Sequence, residues 1–172
     1  MDITQLILDD HAEQRRLFAI IEQIGPDDVD ALTKVWSRLS AFLDVHAEAE
    51  ERFFYPQLLK RGEGANDAED GTVEGETEDA IEDHNKLRDA VAAANRLPIG
   101  TGAWIEAVGK ANVVNSKHMG EEERQGLTDF RRHAPIQLRH DLAVQFAAFE
   151  SDHLLGIKPV NKDPEAYIEQ HG

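Results

Sequence analysis

Residues 118–124 read HMGEEER, and this stretch decides how the chain folds because a close copy, HAEAEER, stands at residues 46–52. Each copy follows an Asp-His pair, whose histidines are His11 in the first half of the chain and His84 in the second. His46, which begins the first copy, lies 35 positions after His11, and His118, which begins the second, lies 34 positions after His84. An internal repeat with near-equal spacing predicts two helical hairpins that present matching sets of side chains.

The repeated side chains have the spacing of metal ligands on helices. Residues four apart lie on one face of a helix, one turn above the other, so each copy can present an imidazole and a carboxylate to the same point. The two earlier histidines add one imidazole from each of two other helices. Four nitrogen and two oxygen donors are therefore expected in the core of a bundle. They belong to His11, His46, Glu50, His84, His118 and Glu122.

The type and number of these donors limit the metal. Imidazole with carboxylate suits iron, manganese or zinc, and the lack of sulfur argues against copper(I) or an iron–sulfur cluster. Six donors are too many for one tetrahedral zinc ion and suit two ions bridged by the two carboxylates. Burying this many imidazoles and carboxylates without a metal costs much free energy. We therefore expect two iron ions, with manganese or zinc less favoured.

With these six residues the chain resembles the hemerythrin-like proteins of the HHE cation-binding family, whose pattern is H…HxxxE…H…HxxxE. The resemblance extends over about residues 2–127 and includes the sequence HAEAEERFFYP at residues 46–56. It implies an all-α fold, an up-down-up-down four-helix bundle at residues 1–127. Residues 128–172 are expected to form a C-terminal helix and tail packed on the bundle.

The resemblance also implies a non-haem di-iron centre that handles O2 or hydrogen peroxide. In this hypothesis His11 and His46 hold one ion, and His84 and His118 hold the other. The two glutamates bridge the ions together with an oxo or hydroxo group. Open positions then remain on both ions, where oxygen or peroxide binds.

One departure from the oxygen-carrying hemerythrins affects the expected activity. The carriers have a second histidine four residues away on the third helix and HxxxxD on the fourth, whereas Ala80 and Arg88 flank His84 here. Weaker ligation favours catalase-like or oxidase chemistry over reversible carriage. The alternative is a non-catalytic protein that binds, stores or senses oxygen or iron. A third hypothesis is a bundle in which the metal only holds the helices together.

Apolar periodicity and Gly/Pro breaks predict the helices. Pro56 predicts a kink or broken turn just after the first pair of ligands. Residues 62–75 are rich in Gly, Glu and Asp and predict a mobile acidic loop, and the region after residue 155 is predicted as a tail. The five predicted helices span residues 2–24, 28–61, 77–97, 102–126 and 135–155.

Two interpretations are open for the acidic residues beside the ligands. Glu51 and Glu123 follow the ligands in both copies, and angular position favours a solvated helix edge for them. The alternative is that they accept an imidazole N–H, a role that Asp10 or Asp83 could equally fill.

Three other residues near the pattern are predicted to have structural roles. Tyr55 is interpreted as a core or capping residue, although turned inward it is a possible catalytic residue that ligates a ferric ion or supplies a proton. Glu150 and His153 form an ExxH pair like those of ferritin-type sites. Only one copy of this pair exists, so both residues are predicted at the surface.

Composition excludes several other functions. A net charge of −16, from 34 acidic and 18 basic residues, disfavours binding to nucleic acid or to anionic membranes. The sequence has no apolar stretch long enough to span a membrane and no segment resembling a secretory leader. Cysteine is absent, which fits a cytoplasmic protein. The expected partners are therefore small molecules, O2 or hydrogen peroxide.

Overall fold

The computed structural model describes residues 1–64 and 71–172, which form helices and no strand. None of these helices is long and apolar enough to cross a membrane. A π-helical segment, Glu50–Phe54, joins α2 to α3. The α-helices are α1 (Ile3–Gln23), α2 (Val29–Ala49), α3 (Tyr55–Arg61), α4 (Val73–Asn95), α5 (Gly102–Arg124), α6 (Gly126–His133), α7 (Ile136–Asp152) and α8 (Pro164–His171).

Four long helices form the bundle that the sequence predicts. Helix α1 packs against α2 and α5, and α4 packs against α5 and α2, so that the four close into a ring. Each begins at a side chain that accepts a backbone N–H of its first turn, which satisfies a donor with no partner inside the helix. These caps are Asp2, Asp28, Thr72 and Thr101.

The distortion expected near Pro56 is present as a π-helical segment. The helix predicted at residues 28–61 is therefore divided into α2, the π-helical segment and α3. The backbone N–H of Tyr55 donates to the carbonyl of Glu50, five residues back, so the segment holds one residue more than an α-helical turn. Pro56 follows in the first turn of α3, where its missing N–H costs little. The distortion therefore begins at Glu50 itself.

Three other boundaries differ from the prediction. Helix α4 begins at Val73 instead of residue 77, because Thr72 caps it. After α5, the short α6 was not predicted; at its start a Cβ on Gly126 would lie 3.1 Å from Leu58, so glycine permits a close approach there. The predicted tail contains α8, which Asp163 caps. The centre of the predicted acidic loop, residues 65–70, lies outside the described residues.

Two apolar clusters fill the interior, one towards each end of the bundle. Along α1, Ile3 and Ile7 belong to the first cluster, and Leu17 and Phe18 belong to the second. His11 lies between them on the same helix and is fully buried. On α2 and α4 the predicted ligands also lie between residues of the two clusters, and on α5 they follow residues of the second cluster. The predicted ligands therefore form one polar layer between two apolar clusters.

Helices α6, α7 and α8 extend the first cluster. Phe130, Phe146 and Tyr167, one from each helix, are buried in the same cluster as residues of α1 and α4. Helix α7 lies against α1 and α2, and α8 lies against α4 and α3. The division of the chain at residue 127 stays a prediction.

Replacing Phe146 by alanine tests the packing of α7. Phe146 is fully buried, so Phe146→Ala should lower the free energy of unfolding of the metal-free protein by about 3–5 kcal/mol through lost burial and a cavity. Val144 on the same helix is 49% exposed, and Val144→Ala should change the free energy of unfolding by less than about 0.5 kcal/mol. Urea unfolding measures both, and equal small effects would contradict the packing described.

Candidate metal centre

The structure brings the six predicted donors together in the polar layer of the bundle. They come from four helices and the start of the π-helical segment, and none is more than 5% exposed. The amphipathic pattern of each helix turns these positions inward although they are polar. The layer contains His11 of α1, His46 of α2, Glu50 of the π-helical segment, His84 of α4, and His118 and Glu122 of α5.

Glu50 lies between the two pairs of histidines. Its Oε1 is 2.9 Å from Nε2 of His46 and 3.7 Å from Nε2 of His11. Its Oε2 is 3.1 Å from Nε2 of His84 and 3.8 Å from Nε2 of His118. One carboxylate thus offers one oxygen to each pair. In both pairs the donor atoms converge closely enough to hold one ion.

Glu122 approaches the centre near His11. Its Oε2 is 3.3 Å from Nε2 of His11, and its Oε1 accepts a hydrogen bond of 2.7 Å from the Tyr55 hydroxyl. Tyr55 is buried, as expected of a core residue, and its hydroxyl points into the centre. Burial, followed by the nearby Glu122 and Glu50 charges, raises the pKa of Tyr55 well above its usual value. The side chain therefore remains a neutral phenol that donates its proton to a carboxylate.

The donor atoms fit metal ions. Several are buried with no hydrogen-bond partner in the protein, which is costly for polar atoms in a core. The shorter separations, 2.9, 3.1 and 3.3 Å, match those of ligands on one ion, because atoms about 2.1 Å from an ion lie about 3.0–3.4 Å apart at octahedral or tetrahedral angles. The unpartnered atoms are Nε2 of His11 and His46, both carboxylate oxygens of Glu50, and Oε2 of Glu122.

The outer nitrogen of His11 is held by a carboxylate from the other half of the chain. Its Nδ1–H donates to Glu123 over 3.0 Å, and Arg15 donates to the same oxygen over 2.7 Å. Glu123 is half-buried, so the solvated edge predicted for it describes its position only in part. Because Nδ1 is engaged by Glu123, Nε2 is the nitrogen of His11 that faces the centre.

The second half repeats this arrangement with Glu51. The Nδ1–H of His84 donates to Glu51 over 2.8 Å, and Arg88 donates to the same carboxylate over 2.9 Å. Glu51 is 2% exposed, so its prediction as a solvated edge residue is wrong. The alternative is right: the carboxylate accepts an imidazole N–H. In both halves an arginine follows the histidine by four residues and pairs with the glutamate that holds this histidine. These arginines are the feature of the sequence that could have indicated the contacts.

Two carboxylates lie near the outer nitrogen of His46. Its Nδ1 is 3.3 Å from Asp10 and 3.8 Å from Glu150. The prediction of Glu150 as a surface residue is therefore wrong, because α7 packs this side chain against α1 and α2. Asp83, the counterpart of Asp10 in the repeat, is buried but instead pairs with Lys86 and Lys117, whose side chains are largely exposed.

In the metal-free protein, opposite charges in and around the polar layer stabilise each other. Burial opposes protonation of His11, but the surrounding carboxylates of Glu122, Glu123 and Glu50 outweigh this effect and raise its pKa to about 10. Burial likewise opposes ionisation of Glu51, but hydrogen bonds from His84 and Arg88 lower its pKa to about 2. A metal ion must therefore replace the proton of His11 when it binds at neutral pH.

Glu51→Gln tests the buried carboxylate that holds His84. The substitution removes the ionised carboxylate nearest to the buried Arg88 and leaves it only Glu48 at 3.8 Å, so the free energy of unfolding of the metal-free protein at pH 7 should fall by about 3 kcal/mol. The pKa of Glu51 is lowered from 4.5 to about 2, so the stability it contributes is present above pH 4.5 and is lost as pH falls towards 2.

Urea unfolding between pH 7 and pH 2 measures this difference. The gap between wild type and Glu51→Gln should close as pH falls. Glu82 is a matched control because its carboxylate pairs with Lys86 at the surface, so Glu82→Gln should cost less than about 1 kcal/mol. A gap between wild type and Glu51→Gln that stays constant with pH would contradict an ionised Glu51.

Comparison with known proteins agrees with the fold and the polar layer. The family model described as the hemerythrin HHE cation binding domain matches residues 2–130. No curated protein and no solved structure shows a significant match to the chain. The matched region covers most of the chain and contains all six predicted donors, which confirms the resemblance found in the sequence. The chain belongs to the hemerythrin HHE cation-binding family.

Proposed function

We propose that this protein holds two iron ions in the polar layer and reacts with O2 or hydrogen peroxide. The observation that carries the proposal is the set of buried donor atoms without partners around Glu50. His11 and His46 would hold one ion and His84 and His118 the other, with Glu50 between the two pairs. Glu122, whose Oε2 lies 3.3 Å from Nε2 of His11, would be the second carboxylate of the centre. Manganese or zinc suits the same donors less specifically.

The cavity beside the centre supports a small substrate. It has a volume of about 20 Å³, room for about one water-sized molecule, and reaches His118 and Glu122. Ala80, four residues before His84, also lines it, so this position contributes space and no donor. Dioxygen and peroxide, with two heavy atoms each, come close to this size, whereas an organic substrate is much larger. The narrow cavity thus favours direct chemistry on an oxygen species.

Side chains around this cavity can control protons. Iron held by these residues would supply the electron-transfer chemistry with dioxygen or peroxide. Tyr55 lines the cavity and keeps a proton on its hydroxyl, hydrogen-bonded to Glu122. A phenol at the cavity wall can pass this proton to a reduced oxygen species, while the carboxylate holds the ring in place. This gives Tyr55 the proton-donating role that the sequence left as the less favoured alternative.

Rapid mixing tests the proposed reaction. The metal-free protein is loaded with Fe²⁺ without air and mixed with O2 or with hydrogen peroxide while their consumption is recorded. Wild type should consume hydrogen peroxide over many turnovers, or consume O2 over many turnovers when an added reductant returns the oxidised iron to Fe²⁺. Tyr55→Phe should keep the same iron content and slow the reaction at least about tenfold, because a general acid is lost.

Two results would contradict this function. Uptake of O2 that is released intact on evacuation, cycle after cycle, would indicate a carrier, store or sensor. Iron that is bound but neither takes up O2 nor reacts with peroxide would indicate that the metal only holds the helices together. An unchanged rate in Tyr55→Phe would remove the proton-donating role of that residue.

A further inference from the structure

The chain beyond the family match supplies contacts to the buried carboxylate that holds His84. We call residues 161–171 the C-terminal segment; it contains α8 and lies outside the matched residues 2–130. Lys162 of this segment forms ion pairs with Glu51 and, over 2.9 Å, with Glu48. The Tyr167 hydroxyl donates over 2.5 Å to the backbone carbonyl of Glu51. The segment therefore holds both the side chain and the backbone of Glu51.

A second set of contacts fixes the C-terminal segment to α4 next to His84. The side chain of Asn85 donates to the carbonyl of Lys162 over 2.7 Å and accepts from its backbone N–H over 3.0 Å. Asn161 also donates to Asp89 over 3.2 Å. Since Asn85 directly follows His84, the segment is fixed at both ends of the hydrogen bond between Glu51 and His84.

These contacts decide how firmly the imidazole is held. Glu51 accepts from His84 and is flanked by two cations, Arg88 and Lys162, while its side chain is fully buried. A carboxylate held from several directions fixes the orientation of the ring to which it is bonded. Loss of one cation leaves the carboxylate freer to turn, and the ring turns with it.

We propose that Lys162 and Tyr167 are positioning residues of the metal centre, which act through Glu51 on His84. The inference rests on the proposed function, because His84 must hold an ion for its orientation to matter. Retention of that ion then depends on docking of the C-terminal segment. The segment is thus a part of the centre that the family match does not include.

The first half of the repeat provides an internal comparison. Glu123, which holds His11, pairs with Arg15, whose side chain is 45% exposed, and the C-terminal segment makes no described contact with it. The contribution of the segment should therefore be confined to the ion held by His84 and His118. A change that acts through general stability would affect both ions alike.

Release of Co²⁺ to an excess of chelator tests the proposal, with the protein loaded with Co²⁺ alone. Lys162→Gln should speed release of one of the two ions about tenfold and leave the other unchanged, as expected when a residue that orients a ligand is lost. Lys158→Gln is the matched control, because Lys158 is an exposed lysine just before the C-terminal segment. Lys162→Arg keeps the charge and should release Co²⁺ nearly as slowly as wild type.

The same substitution in a Glu51→Gln background identifies the route. If Lys162 acts through Glu51, Lys162→Gln should add no further change to a protein that already has Glu51→Gln. Release that is unchanged in Lys162→Gln, or equally faster for both ions, would overturn the inference alone. A wild-type protein that retains no Co²⁺ and no iron would overturn both the inference and the proposed metal centre.

Discussion

The structure depends on the burial of one carboxylate, Glu50, among four imidazoles in the middle of a helical bundle. A charged group in this position is tolerated only if other groups compensate for its lost hydration. Its two oxygens face two different pairs of histidines, and neither oxygen has a hydrogen-bond partner in the protein. Two bound cations, as proposed, would compensate for this lost hydration directly. The π-helical segment that begins at Glu50 is the local change in backbone that accompanies it.

The two halves of the chain are joined by exchange of their outer carboxylates. Glu123, from the second half, holds His11 of the first, and Glu51, from the first half, holds His84 of the second. Neither half can therefore orient its own first histidine alone. This explains why a repeated sequence forms one centre with two linked positions instead of two separate sites. It also explains the arginine four residues after each of these histidines, because each arginine pairs with the exchanged glutamate.

Much of this organisation could be predicted from sequence, because ligands four residues apart and a repeat of equal spacing are local patterns. The bundle and the grouping of the donors followed from them. Burial of Glu51 could not be predicted, since angular position on one helix says nothing about which neighbouring helix covers the side chain. Helix α8 was missed although Asp163 and Pro164 form an ordinary helix start. Its role depends on contacts with Glu51, more than a hundred residues earlier, which no local pattern reveals.

The number of metal ions per chain tests the central claim most directly. Wild type expressed with ample iron should contain two irons per chain, while His84→Ala and Glu122→Ala should lose iron or retain half of it. His140→Ala, at an exposed histidine, should retain both. Less than one metal per chain in wild type, unchanged by His84→Ala and Glu122→Ala, would contradict the assignment of this layer as a two-ion centre.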